Sequence, residues 1–92
     1  MPALSPAEVS TRLAAIPDWQ LKDGAICRDL MFSDFREAMS FVNSVAAVAE
    51  RAGHHPDITI RYNKVGLALS SHDAGGITEK DFSLAAEIGA IL

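Results

Sequence analysis

The residues of this chain best suited to chemistry gather in its second half, where all three of its histidines lie: His54, His55 and His72. Histidine is the side chain whose unperturbed pKa sits nearest neutrality. A cluster of histidines therefore suits a reaction that delivers one proton and removes another at physiological pH. Three imidazoles could instead hold a zinc ion with an open coordination position. Neither an HExxH pattern nor a paired-cysteine signature accompanies them, and adjacent histidine side chains tend to diverge, so acid/base work ranks above metal binding. Plain structural readings stand beside these. His54-His55 before Pro56 can be a polar loop after a helix stop, His72-Asp73 a surface turn, Glu50 a solvated residue late in a helix, and Asp81 a helix cap.

The elements that must position these residues show in caps, turns and alternation. Ser5-Pro6-Ala7-Glu8 starts a helix, with Ser5 as N-cap, Pro6 at the first helical position and Glu8 closing a capping box. Leu4 and Val9 fit a hydrophobic staple, and Val9, Leu13 and Ile16 form the apolar stripe until Pro17 stops the helix after about three turns. Trp19 to Lys22 alternates, Asp23-Gly24 suits a two-residue turn, and Ala25 to Phe32 continues extended, which makes a hairpin. Ser33 or Asp34 caps a second helix that ends at Gly53, with Glu37 completing a capping box on Asp34. Phe35, Ala38, Met39, Val42, Ala46 and Ala49 line its main face. Phe41, Val45, Val48 and Ala52 widen the apolar arc, as in a helix that is central in the core or shared with another subunit.

Asp57 to Tyr62 and Val65 to Ser70 alternate on either side of Asn63-Lys64, which predicts a second hairpin. With those two residues as the turn, Tyr62 pairs with Val65, Ile60 with Leu67 and Ile58 with Leu69, so Tyr62 shares the core face. Extended further, the register sets His55 opposite His72 at the open end, with Glu50 and His54 beside them, although Pro56 can end the regular pairing first. Thr78 caps a third helix, Asp81 holds its capping-box position, Ile77 can staple to Phe82, and Leu84, Ala85, Ile88 and Ile91 form the buried side. The class is α+β. The expected order is α-β-β-α-β-β-α, a four-stranded antiparallel sheet with three helices on one face.

The chain has 92 residues with no internal repeat or linker, so residues 1–92 read as a single domain. So small a core is helped by a partner. Self-association as a homodimer or homotetramer is expected, through Phe41, Val45 and Val48. The net charge of −4 gives no general attraction to phosphate backbones or anionic lipid, which argues against direct nucleic-acid or membrane binding. Cys27 is the sole cysteine and cannot form an internal disulfide. The opening Met1-Pro2-Ala3-Leu4-Ser5 has neither the basic region nor the apolar run of a signal peptide, so a cytoplasmic location is expected.

Taken jointly, Glu50-Arg51-Ala52-Gly53-His54-His55-Pro56, then Tyr62, His72 and Asp81, resembles the signature of the pterin-4a-carbinolamine dehydratase family. The resemblance extends through Tyr62-Asn63-Lys64-Val65, the Ser71 to Thr78 loop and the Trp19 hairpin, and covers nearly the whole chain. It implies dehydration of 4a-hydroxytetrahydropterin to quinonoid dihydropterin, recycling the pterin used by aromatic amino-acid hydroxylases. The pterin is then substrate, and no cofactor or metal is implied. By the same resemblance His54, His55 and His72 are the catalytic set, without an assignment of acid and base, and Glu50 and Asp81 orient or charge-stabilise the imidazoles. Tyr62 is left outside that set, and Trp19 and Arg28 carry no functional assignment. The family also implies an alternative, a protein-interaction module that stabilises the dimer of a homeodomain transcription factor.

Overall fold

Each α-helix in the computed structural model, which describes residues 2–92, begins at a side-chain oxygen that takes up backbone donors the helix leaves unpaired. Ser5 caps α1 (Pro6–Leu13): Glu8 N–H donates to Ser5 Oγ at 3.2 Å and Ser5 N–H to Glu8 Oε1 at 2.9 Å. The hydrogen bonds from Ser5, backbone first, hold the Glu8 carboxyl below its ordinary pKa. The helix ends at Leu13 and does not run on to Pro17 as expected. Ala15 N–H and Ile16 N–H turn back to Arg12 and Leu13 carbonyls at 3.1 and 3.0 Å, a tighter winding before a proline that disfavours helical geometry in the residue preceding it.

Strands β1 (Gln20–Lys22) and β2 (Ala25–Met31) pair through a turn at Asp23 and Gly24, whose φ values of 51° and 78° are both positive, as a twist-compatible two-residue turn requires. Helix α2 (Phe35–Ala52) starts at Asp34, which accepts from Glu37 N–H at 2.8 Å. The expected return half of that capping box is not made, because the Glu37 carboxylate takes the Ser33 hydroxyl at 2.6 and 2.7 Å. The arc that α2 buries is Ala38, Phe41, Val42, Val45, Val48 and Ala49. Phe41, Val45 and Val48, expected to face another subunit, pack into the protomer's own core. Phe41 stacks on Phe32 at 5.1 Å between ring centroids, while Phe35 and Ala46 are left exposed.

The second hairpin also departs from expectation. Strands β3 (Asp57–Arg61) and β4 (Lys64–Leu69) pair Arg61 with Lys64, Ile60 with Val65 and Ile58 with Leu67, so the turn residues are Tyr62 and Asn63. Asn63 is claimed by the end of β2: its Nδ2 donates to Phe32 O and its own carbonyl accepts from Phe32 N–H, both at 2.8 Å. Tyr62 is thereby pushed into the turn at φ 52° and is 65% exposed, so it does not share the core face. The register moves by two residues and face parity is kept.

The four strands form one antiparallel sheet in the order β1-β2-β4-β3. Ile26, Val65, Leu67 and Leu69 point to the side covered by α1, α2 and α3 (Glu79–Ala90), where they meet Val9, Val45, Leu84 and Ile88 in one core. Ile91, expected in that core, lies beyond the end of α3 and is partly exposed. On the opposite face, partial burial raises the Cys27 thiol pKa. Arg12 Nη1 donates to Glu79 Oε2 at 2.7 Å and ties α1 to the start of α3.

Helix α2 stops at Gly53, whose φ of 66° is the left-handed value that releases the chain toward His54. A Cβ added there meets nothing within 4 Å, so only backbone strain opposes it. Gly53→Ala is expected to cost about 1 kcal/mol, seen as a melting temperature roughly 4–8 °C lower, with Gly53→Asn losing less.

Candidate functional site

Strand β4 delivers one wall of the site. Its inward parity, Val65, Leu67, Leu69, continues one step past the strand to Ser71, which is also buried. Ser71 then closes a loop on itself: its N–H donates to Gly76 O at 2.8 Å and its carbonyl accepts from Ala74 N–H at 3.1 Å. The loop holds His72 in a short 3-10 turn (His72–Ala74), and Gly75 leaves that turn at φ 71°. Ile77 fastens the far side, accepting from Leu4 N–H at 2.8 Å. Thr78 then caps α3 in a capping box with Asp81.

The other wall comes from the end of α2. After Gly53, His54 N–H returns to Ala49 O at 3.2 Å. The His54 ring reaches Asp81, with Nε2 to Oδ1 at 2.5 Å; the His54 side chain is 15% exposed and that of Asp81 not at all. His55 turns the other way, and its Nε2 bonds Glu50 Oε2 with both side chains largely exposed. The two neighbouring imidazoles are thus each held through Nε2 by a carboxylate, one inside the protein and one at its surface.

Between the walls lies a cavity of about 290 Å³. His54, His55 and His72 all line it, along with Ser70, Ser71, Asp73 and Lys80. The three histidines therefore share one cavity, with Glu50 and Asp81 bonded to the rings of His55 and His54. The route differs from the cross-strand pairing expected of His55 and His72. Regular pairing ends at Asp57 and Ala68, since Pro56 has no N–H to extend it, and His72 belongs to the closed loop beyond the bridge between Ser71 and Gly76. Trp19 sits in the core, and Arg28 lies 3.6 Å from Asp18, both away from the cavity lining.

Asp81 serves as a cap and as a histidine partner at once. Its Oδ2 accepts from Thr78 N–H and from the Ser71 hydroxyl, each at 2.9 Å, while Oδ1 meets His54. The residues alone do not single out Ser71 as a site component, and Thr78 reads there only as a cap. Counting parity along β4 one position further would have found Ser71. Lys80 and Asp73 carry no comparable signal, since each is an ordinary charged residue in a helix start or a turn. Among the described residues, no group of three or more His, Cys, Asp or Glu side chains stands placed to hold a metal ion.

Residues 2–91 match the family model described as pterin 4 alpha carbinolamine dehydratase. The chain belongs to this family. It is 58% identical over 92 residues to a protein of Acidobacterium capsulatum provisionally named pterin-4-alpha-carbinolamine dehydratase, covering the whole of both chains. A protein of Chloroflexus aurantiacus with the same provisional name is 56% identical over 92 residues, covering all of this chain and 99% of its own. Among solved structures, the transcriptional coactivator/pterin dehydratase from Brucella melitensis superposes with a TM-score of 0.91 at 36% identity over 97% of each chain. A pterin dehydratase-like protein described as a RuBisCO assembly factor in the alpha-carboxysome shares the fold, with a TM-score of 0.64 at 24% identity over 79% of this chain and 84% of its own. The carbinolamine dehydratase fold thus carries more than one described role.

The unequal burial of the two carboxylates predicts unequal costs. Asp81→Asn sets an amide N–H₂ against neighbours that are themselves donors, and is expected to lose about 3 kcal/mol of stability. Glu50→Gln, at an exposed pair, should change stability by less than about 0.5 kcal/mol. Urea unfolding of the two variants beside the parent protein checks both.

Proposed function

We propose that the protein dehydrates 4a-hydroxytetrahydropterin to quinonoid dihydropterin. The observation that carries the reading is the convergence of His54, His55 and His72 on one cavity, two of them already bonded to carboxylates. Membership of the pterin carbinolamine dehydratase family supports the substrate class. A volume near 290 Å³ is at the small end of ligand pockets and suits a bicyclic ring.

The reaction breaks the C4a–O bond and forms a double bond between N5 and C4a. One proton must reach the departing hydroxyl, which leaves as water, and the proton on N5 must be taken away, so that its electron pair becomes the new bond. No electron is gained or lost, and as proposed the step uses neither metal nor redox cofactor. Imidazoles suit both transfers because either ring nitrogen can hold or release a proton near neutral pH. Asp81 and Glu50 act by holding the His54 and His55 rings and stabilising their protonated forms.

Recycling of the pterin for an aromatic amino-acid hydroxylase in the cytoplasm is the setting that this activity suggests. A second reading, an interaction module for a partner protein, is supported by the coactivator description of the Brucella melitensis neighbour. Stopped-flow decay of pterin carbinolamine with and without protein separates the two. Acceleration supports the dehydratase, and its absence in folded protein leaves the module.

If the histidines work as a unit, His55→Ala and His72→Ala should each lower kcat by about 10²- to 10⁴-fold with near-native melts. The double variant should then cost far less than the product of the single losses. Near-normal kcat in His72→Ala would remove it from the catalytic set.

Self-association as a homodimer or homotetramer remains part of the proposal, now resting on Phe35, half-exposed on α2, and on Met31 and Leu21 at the sheet. Light scattering at micromolar concentration should report a multiple of 9.8 kDa. A particle of monomer mass would refute the association.

A further inference from the structure

Ser71 joins the two halves of the site. Its backbone closes the His72 loop, while its side chain, in a residue only 7% exposed, donates to Asp81 Oδ2 at 2.9 Å. The hydroxyl chain through it has a single direction. A carboxylate oxygen only accepts, so the one hydrogen of Ser71 Oγ goes to Asp81. The 2.8 Å contact between Ser71 Oγ and Thr78 Oγ1 must then carry the Thr78 hydrogen toward Ser71. Thr78 Oγ1 accepts in turn from Lys80 N–H at 3.2 Å. With Thr78 N–H also on it, Oδ2 of Asp81 is filled by two donors, and Oδ1 faces His54 Nε2 at 2.5 Å. For that contact to be a hydrogen bond the imidazole must supply the proton, so Nε2 carries hydrogen, and in the neutral ring Nδ1 is the bare nitrogen.

We propose that Ser71 is a positioning residue: by filling Oδ2 of Asp81 it turns Oδ1 to His54, holds that ring in the Nε2–H tautomer, and keeps it in register with the His72 loop that the same residue closes. Its bearing on turnover rests on the dehydratase reading. Its bearing on the His54 tautomer concerns the resting protein and is measurable without turnover.

Long-range ¹H–¹⁵N correlation of the imidazoles in mildly alkaline buffer gives the first readout. The neutral His54 ring of the unaltered protein should be protonated at Nε2 and bare at Nδ1; a neutral ring with its proton on Nδ1 and Nε2 bare overturns the proposal before any variant is made. In Ser71→Ala, whose backbone bonds still close the loop, both His54 tautomers should become populated, and an unchanged spectrum counts against the role.

Kinetics give the second readout. Ser71→Ala should lower kcat about tenfold, the order of one charge-assisted hydrogen bond, with KM within about twofold. Ser71→Thr, which keeps the hydroxyl, should stay within about threefold of the parent kcat. Because Ser71 acts through Asp81, the Ser71→Ala/Asp81→Asn double variant should be no slower than Asp81→Asn alone. Losses that multiply would show that Ser71 acts by another path. Nε2 protonation in a protein with no dehydratase activity would overturn the functional reading and still support the positioning.

Discussion

A carboxylate without exposed surface persists in a protein interior only where donors surround it, and Asp81 has three: Thr78 N–H, the Ser71 hydroxyl and the His54 ring. Each donor comes from a different piece of the fold. Thr78 is the start of α3, Ser71 the exit of β4, and His54 the exit of α2. Satisfying one buried charge therefore fixes three chain segments relative to one another, and the cavity lies among them. None of the three could shift by an ångström without stranding a donor or the charge, at a cost comparable with a fair fraction of a small domain's stability.

Around that point the rest of the architecture works as a frame. The inward stripe of β4 and the valine arc of α2 press together a core that holds the two exits at fixed separation. Gly53 and Gly75, both in left-handed geometry, allow abrupt changes of direction beside His54 and His72. The second pair, His55 with Glu50, lies at the surface, where water competes with each partner. Two imidazole–carboxylate pairs thus sit in unlike surroundings within one site, one buried and the other exposed.

Most of the fold could be read from local chemistry because each cap and turn was spelled by residues with few alternatives: Ser5-Pro6 with Glu8, Asp23-Gly24, Thr78 with Asp81. The structure departs from that local chemistry where a distant partner decides. Asn63 was taken by the end of β2, which moved the hairpin turn back by one residue and put Tyr62 outside. Phe41 was turned inward by Phe32, which took away the face assigned to another subunit. His55 and His72 share a cavity for a reason other than the expected one, since the loop and the helix exit bring them together where strand register does not. Parity along β4 places Ser71 on the inward side, but what it serves shows only when the Asp81 carboxylate is seen against it.

The ties at the loop's outer edge span nearly the whole chain. Leu4 N–H bonds Ile77 O, and Arg12 grips Glu79, 67 positions away in sequence. Contacts of such separation form only after the intervening segment has been ordered, because the entropy of closing so long a loop must be met before the contact returns anything. The hairpins and the long helix can form from neighbours alone; the wall of the cavity cannot. During synthesis the cavity end of the molecule must wait for α3 to emerge, so a chain arrested before Thr78 can hold much of its secondary structure and still have no cavity.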